Sequence, residues 1–329
     1  MSRRTVKRMI TSWAAILLGL ALSAGMLFLF RVPQPLHSLK ALMLSGFSSP
    51  NQAARLILSW ALLLLTGLSA ALCGKAGVMN LGVPGQWIAG AMAALAGAVL
   101  LGAPWWACVL LGMLGGFLWG ALFGWLTVRF QMHQVLSSVS LIGIALHGAS
   151  WLWEEVLSAH TDASLHASLS IPQVQIGSVS LSLALPAALL CCLIAWIILK
   201  AGVFGFEVKA GGANPEAAKR TGMPLKRNIL LVCCLSGGLA GISGAVCVLS
   251  GMLGMTLAEA STLYGFSGVI IALLSFHHPL AAIPLALYTA CAAVGKDALI
   301  EGTPQELVWL LLSLTLYSFV LLRPVWKKK

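Results

Sequence analysis

The sequence predicts an all-α polytopic membrane protein with about ten transmembrane helices, some of them interrupted, an inverted repeat, and both termini in the cytoplasm. Three observations lead there. Of the 329 residues, 59% are hydrophobic and only 9% charged, a balance far too apolar for a soluble domain. Apolar runs long enough to cross the ~30 Å hydrocarbon core recur along the chain. With spans drawn through those runs, sixteen of the twenty Lys and Arg fall on one side, the asymmetry that marks the cytoplasmic face. A net charge of +11 would suggest nucleic acid in a soluble chain, but here the charges report orientation and no nucleic-acid partner is expected.

Arg3, Arg4, Lys7 and Arg8 precede an apolar run from Ser12 to Phe30. That run outlasts the core of a cleaved secretory signal, so it reads as a first span with a cytoplasmic N-terminus. Further spans fit Ala53 to Cys73, Gly85 to Leu101, Trp105 to Val128, Val135 to Leu157 and Val179 to Leu199. After a polar loop come Ile229 to Leu249, Leu257 to Phe276, Pro279 to Val294 and Leu307 to Leu322. The whole chain, 1–329, reads as one transmembrane domain: a first half over 53–157, a loop over 200–228 and a second half over 229–322.

Arg31 to Gln52 and Ser158 to Ser178 are the polar segments expected outside, and Trp105, Trp106, Trp151 and Trp153 suit the membrane interface. The eight cysteines all fall in apolar runs and read as small packing residues, and the histidines show no metal-ligand spacing; no metal site is expected.

Gly112, Gly116, Gly120 and Gly124 place a glycine at every fourth residue of the fourth span. Such a stripe lets another helix approach closely, either within the chain or across a dimer seam. Gly237, Gly241 and Gly244 offer a similar surface on the seventh span.

Two stretches carry backbone breaks. Gly74 to Trp87, reading GKAGVMNLGVPGQW, contains four glycines, a proline, Asn80 and Gln86. It is either a plain turn between spans or an interrupted helix whose freed polar groups line a pathway, the arrangement tolerated at membrane depth. Tyr264 to Pro279 is the second break. The first set of four spans enters from outside and the later set from inside, so each half of an inverted repeat contributes one break.

The polar loop contains a complete short helix signature. Asn214 caps, Pro215 suits the first position, Glu216 meets the positive end of the dipole, Ala217 and Ala218 propagate, and Gly222 permits the left-handed stop. From the loop alone it serves either topology or docking.

Gly77-Val-Met-Asn-Leu-Gly-Val-Pro-Gly-Gln86, His133-Gln-Val135, Gly212-Ala-Asn-Pro-Glu-Ala-Ala218 with Gly222, and Gly265-Phe-Ser-Gly-Val-Ile-Ile-Ala-Leu-Leu274 with His278-Pro279 occur in the order found in one transporter group. Over about residues 50 to 300 the chain resembles the ABC importer permeases for branched-chain amino acids, simple sugars and nucleosides, and its wording is closest to the nucleoside type. The resemblance implies a pore-forming subunit in the bacterial inner membrane that is not itself an enzyme. It implies three protein partners: an ABC ATPase gripping Asn214 to Gly222, a second permease subunit, and an extracytoplasmic solute-binding protein. Membrane lipid surrounds it.

No cofactor is expected on this chain. No G-x-x-x-x-G-K-[ST] phosphate loop occurs, since Gly295-Lys296 is followed by Asp297, so ATP and Mg belong to the partner. Relatives usually carry glutamate where Pro84 and often where Gln134 stand, so a neutral solute is expected. Asn80, Gln86, Ser137 and Ser138 suit hydrogen bonding to it, and Trp87 or Phe266 suits stacking on a planar base. A sugar or branched-chain amino acid is the alternative solute. An ion-coupled carrier would be expected to carry ionisable residues at mid-span, where this chain has almost none, and no catalytic set suggests an intramembrane enzyme.

Overall fold

The computed structural model describes residues 3–29, 34–157, 171–176, 179–251, 256–296 and 307–327. It is a helical, multi-pass membrane architecture. Among the described residues, seven helices or helical runs are long and apolar enough to cross a membrane, and three shorter apolar helices, Trp13–Leu29, Pro279–Gly295 and Trp309–Ser318, accompany them.

The chain opens with α1 (Arg3–Leu29) and α2 (Pro35–Leu44), followed by α3 (Pro50–Lys75), α4 (Val83–Leu101), α5 (Trp105–Arg129) and α6 (Gln134–Leu152). Helix α3 begins where the Ser49 side chain accepts from Gln52 N and Pro50 fills the first turn. It ends where Gly77, at φ +76°, lets Val78 N reach Cys73 O and Gly77 N reach Gly74 O.

After a π-helical turn at Trp153–Leu157 comes a two-stranded antiparallel hairpin, β1 (Gln173–Ile176) with β2 (Val179–Ser182). The span expected from Val179 therefore starts later, as α7 (Ala184–Ala201). Both strands alternate polar and apolar residues, the period of a strand, and Gln173 pairs with Ser182. Of the polar segments expected outside, 31–33, 158–170 and 177–178 lie beyond the described residues, as does Asp297.

The central loop holds two helices, α8 (Val203–Ala213) and α9 (Pro215–Arg220). The second half comprises α10 (Leu225–Leu249), α11 (Leu257–Ser261), a π-helical turn at Thr262–Phe266, α12 (Ser267–Leu274), α13 (Pro279–Gly295) and α14 (Leu307–Lys327).

Helix α3 is the axis of the packing. In its most apolar stretch 89% of residues are buried, against 28% in Gln134–Val156 and in Ala184–Ala201, which face outward. It packs on α10, α12, α13 and α7, while α10 packs on α5 and α4. The glycine stripe explains how closely α5 and α10 approach. A Cβ on Gly116 would stand 2.7 Å from the Gly241 Cα, and one on Gly120 would stand 3.0 Å from the Gly237 Cα. A Cβ on Gly124 would come within 2.9 Å of the Cys233 Cβ, and one on Gly112 within 2.5 Å of the Ala245 Cβ. The stripe thus faces α10 of the same chain, and backbone-to-backbone approach supplies the dispersion contact that drives association in lipid.

Candidate functional site

The two interrupted elements meet at the centre of the molecule. A Cβ on Gly265, in the π-helical turn, would lie 2.6 Å from the Pro84 Cα in the first turn of α4. Beside this contact Tyr264, next to Gly265, and Trp87, three residues after Pro84, stack with ring centroids 6.4 Å apart and planes 19° from parallel. Tyr264 Oη and Ser59 Oγ share a hydrogen bond of 3.3 Å, tying this turn to α3.

Asn80 organises the polar side of the junction. Its Oδ1 accepts from Gly82 N at 2.9 Å, a turn that delivers the chain into α4 behind Pro84. Its Nδ2 lies 3.2 Å from Gln86 Oε1, 3.1 Å from Ser236 Oγ and 3.7 Å from Cys73 Sγ. Ser236 Oγ in turn sits 2.9 Å from Ser69 Oγ. One buried network therefore joins α3, the loop after it, α4 and α10, and every member is neutral. At low dielectric these hydrogen bonds are stronger than the same bonds would be in water, and they hold the four segments together.

Gln134 holds the loop from the other side: its Oε1 accepts from Met79 N at 2.8 Å. The Ser137 and Ser138 hydroxyls donate to Gln134 O of their own helix, at 3.2 and 2.7 Å. Ser138 adjoins the Asn80 turn, since its Cα would be 3.6 Å from a Cβ on Gly82. The structure thus brings Asn80, Gln86 and Ser138 together, puts Trp87 wholly inside against Tyr264, and leaves Phe266 37% exposed. Among the described residues, the buried groups with no hydrogen-bond partner include Gln86 Nε2 and Trp87 Nε1 of α4 and Ser267 Oγ just after the π-helical turn. The sequence reading did not single out Ser69, Ser236 or Tyr264; a lone serine or tyrosine in an apolar span carries no local signal of its partner.

Below the junction a cavity of about 220 Å³ is lined from both halves, by Gly74, Met79 and Asn80 on one side and by Val269, Leu273 and His277 on the other. Lys75 Nζ donates to Phe276 O at 3.2 Å, linking the two chain breaks at their ends. Among the described residues no three His, Cys, Asp or Glu side chains gather as metal ligands do.

The capped helix of the central loop stands outside this core. Asn214 Oδ1 accepts from Ala217 N at 3.1 Å, with Pro215 and Glu216 in the first turn. At the other end Gly222, at φ +79°, completes a Schellman stop: Met223 N donates to Ala218 O and Gly222 N to Lys219 O, both at 3.1 Å. Only Ala218 is buried; Asn214 to Ala217 and Lys219 to Gly222 are exposed. The preceding α8 rests on the first break. A Cβ on Gly212 would stand 2.9 Å from Gly77 N and from Ala76 C, and Glu207 Oε2 accepts from Asn228 Nδ2 of α10 at 2.8 Å.

Comparison with known proteins follows the same boundaries. The family described as branched-chain amino acid transport system / permease component matches residues 52–320. The guanosine ABC transporter permease protein NupP of Bacillus subtilis is 29% identical, over 74% of this chain and 74% of its own. The nucleoside ABC transporter permease protein NupB of Lactococcus lactis is 26% identical, over 92% of this chain and 88% of its own. The glucose ABC transporter permease protein TsgB13 of Haloferax volcanii is 26% identical, over 78% of this chain and 73% of its own.

Proposed function

We propose a function on the premise that the chain belongs to the branched-chain amino acid transport system / permease component family: it is the transmembrane permease subunit of an ATP-driven ABC importer, and its solute is a nucleoside. The observation that carries the solute class is the neutral hydrogen-bonding network of Asn80, Gln86, Ser236 and Ser69 where the two interrupted helices meet. A charged substrate would find no counter-charge there, whereas the hydroxyls and ring nitrogens of a nucleoside match amide and hydroxyl partners. Asn80, Gln86, Ser137 and Ser138 supply hydrogen bonds along this pathway, Phe266 supplies an exposed ring, and Trp87 with Tyr264 backs the wall. The names of NupP and NupB agree with that solute. The name of TsgB13 favours a sugar as the second reading, recognised by the same hydroxyl-binding groups.

We read ten spans, the seven long and three shorter apolar helices, arranged as an inverted repeat with both termini in the cytoplasm. The pairing of α3 with α12 and α13 beside that of α10 with α4 and α5 supports the repeat. The exposed α9, from Asn214 to Gly222, is then the cytoplasmic knob that seats in a separate ATPase, where ATP and Mg are bound. Its movement reaches the pathway through α8, because Gly212 lies against the Lys75 to Gly77 backbone directly below Asn80. A second permease and an extracytoplasmic binding protein complete the importer in the bacterial inner membrane.

Proteoliposomes holding the permeases, ATPase and binding protein test this reading. ATP-dependent uptake of labelled guanosine in preference to glucose is expected; uptake without ATP or without the ATPase refutes the mechanism, and glucose preference refutes the solute.

A further inference from the structure

We infer that the groove between α5, α7 and α10 binds one acyl chain of an anionic phospholipid, a site independent of the solute pathway. The groove holds about 270 Å³, and its walls include Met113, Phe117, Ile194, Ile198, Leu235 and Gly238. No lining side chain carries a nitrogen or oxygen, so neither water nor a nucleoside finds a partner inside. Ile194, Ile198 and Leu235 are 47%, 38% and 41% exposed, so the groove opens sideways on the face that meets hydrocarbon.

Its length suits part of an extended chain. The α7 wall runs from Cys191 to Leu199, ~12 Å at the rise of a helix, short of the ~30 Å that a transmembrane helix of a second subunit would cover. Gly238 contributes to this space by lacking a side chain, and the nearest atom to a Cβ there would be Met113 Cγ at 3.5 Å.

The end of the groove near Phe204 is electropositive. Lys200 closes α7 with its Nζ 4.5 Å from the Trp196 ring centroid, an arrangement that holds an ammonium at the interface. Lys226 and Arg227 are exposed in the first turn of α10. The single acid of α8, Glu207, is engaged by Asn228. Beside them Val203 and Phe206 of α8 are 76% and 60% exposed, an apolar face suited to lying in the headgroup region. Hydrocarbon in the groove thus carries its phosphate toward this cluster.

Native mass spectrometry of the full chain, released from nanodiscs of equal phosphatidylcholine and phosphatidylglycerol, tests the site. One retained phospholipid per chain is expected, with the anionic lipid favoured about fivefold, the effect of one lysine. Gly238→Leu should abolish retention by filling the groove, and Lys200→Glu should keep the lipid but erase the preference. Absence of a retained lipid, equal retention of the two lipids by the native chain, or retention unaffected by Gly238→Leu overturns the proposal. If Gly238→Leu does not fold, alkylation of the groove-wall Cys191 by a maleimide decides: added phosphatidylglycerol should slow it about fivefold in delipidated protein, and an unchanged rate overturns the proposal.

Discussion

Gly265 and Pro84 touch across the middle of the protein, with the ideal Cβ of the first 2.6 Å from the Cα of the second. Each belongs to one of the two interrupted elements, so the chain breaks form a single junction. Gly265→Ala forces Pro84 or the π-helical turn to shift. We predict a stability loss of ~1–3 kcal/mol, the usual cost of overpacking, together with loss of most uptake. Thermal unfolding in detergent and proteoliposome uptake measure the two effects.

Asn80→Asp separates the two jobs of that side chain. The acceptor for Gly82 N survives, but the donors to Gln86 and Ser236 are lost and a carboxylate is buried in their place. Uptake of a neutral solute should fall further than in Asn80→Ser, which keeps a donor. A charged replacement that transports as well as the native chain would refute the role given to the network.

Gly116→Ala tests the seam between α5 and α10. Its Cβ would meet the Gly241 backbone, whereas a Cβ on Gly143 of α6 would meet nothing within 4 Å. Gly116→Ala should lower stability by ~1–3 kcal/mol, while Gly143→Ala should leave it unchanged or raise it by up to ~1 kcal/mol. Thermal shift of the two variants side by side checks the difference.

Ala217→Arg probes the knob without touching the fold, because Ala217 is exposed while its neighbour Ala218 is buried. The variant should unfold at the native temperature yet lose ATPase binding in a pull-down. By contrast Gly212→Ala should retain ATPase binding and hydrolysis but lose uptake, since it disturbs only the contact with the Lys75 to Gly77 backbone.

Removing the cap itself has a smaller effect. Asn214→Ala deletes the bond to Ala217 N and should destabilise α9 by ~1 kcal/mol. Faster amide exchange confined to α9 is the expected signature.

The long apolar helices and the capped helix were legible because each follows from a local rule: a bilayer demands about twenty apolar residues, and Asn214, Pro215 and Gly222 announce their own positions. Helix α8 was not, since Gly205, Gly211, Gly212, Glu207 and Lys209 read as loop; it is held by close approach to Leu199, Gly77 and Leu225, which only the fold brings near. The start of α7 was misjudged for a similar reason, because Val179–Ser182 is apolar enough to extend a span until its pairing with Gln173–Ile176 claims it. In the candidate site Asn80 and Gln86 stood out as polar residues in a glycine-rich break. Their partners Ser69 and Ser236 lie in separate helices and differ from packing serines only by what they face.

Helix α10 belongs by sequence to the second half but is locked into α4 and α5, while α3 of the first half is packed against α12 and α13. Each of these two helices packs mainly against helices distant from it in the sequence. Expressed as two polypeptides divided in the exposed turn at Thr221 and Gly222, neither piece could cover its own glycine or serine surfaces, and the two would find one another in the membrane as fragments of one fold.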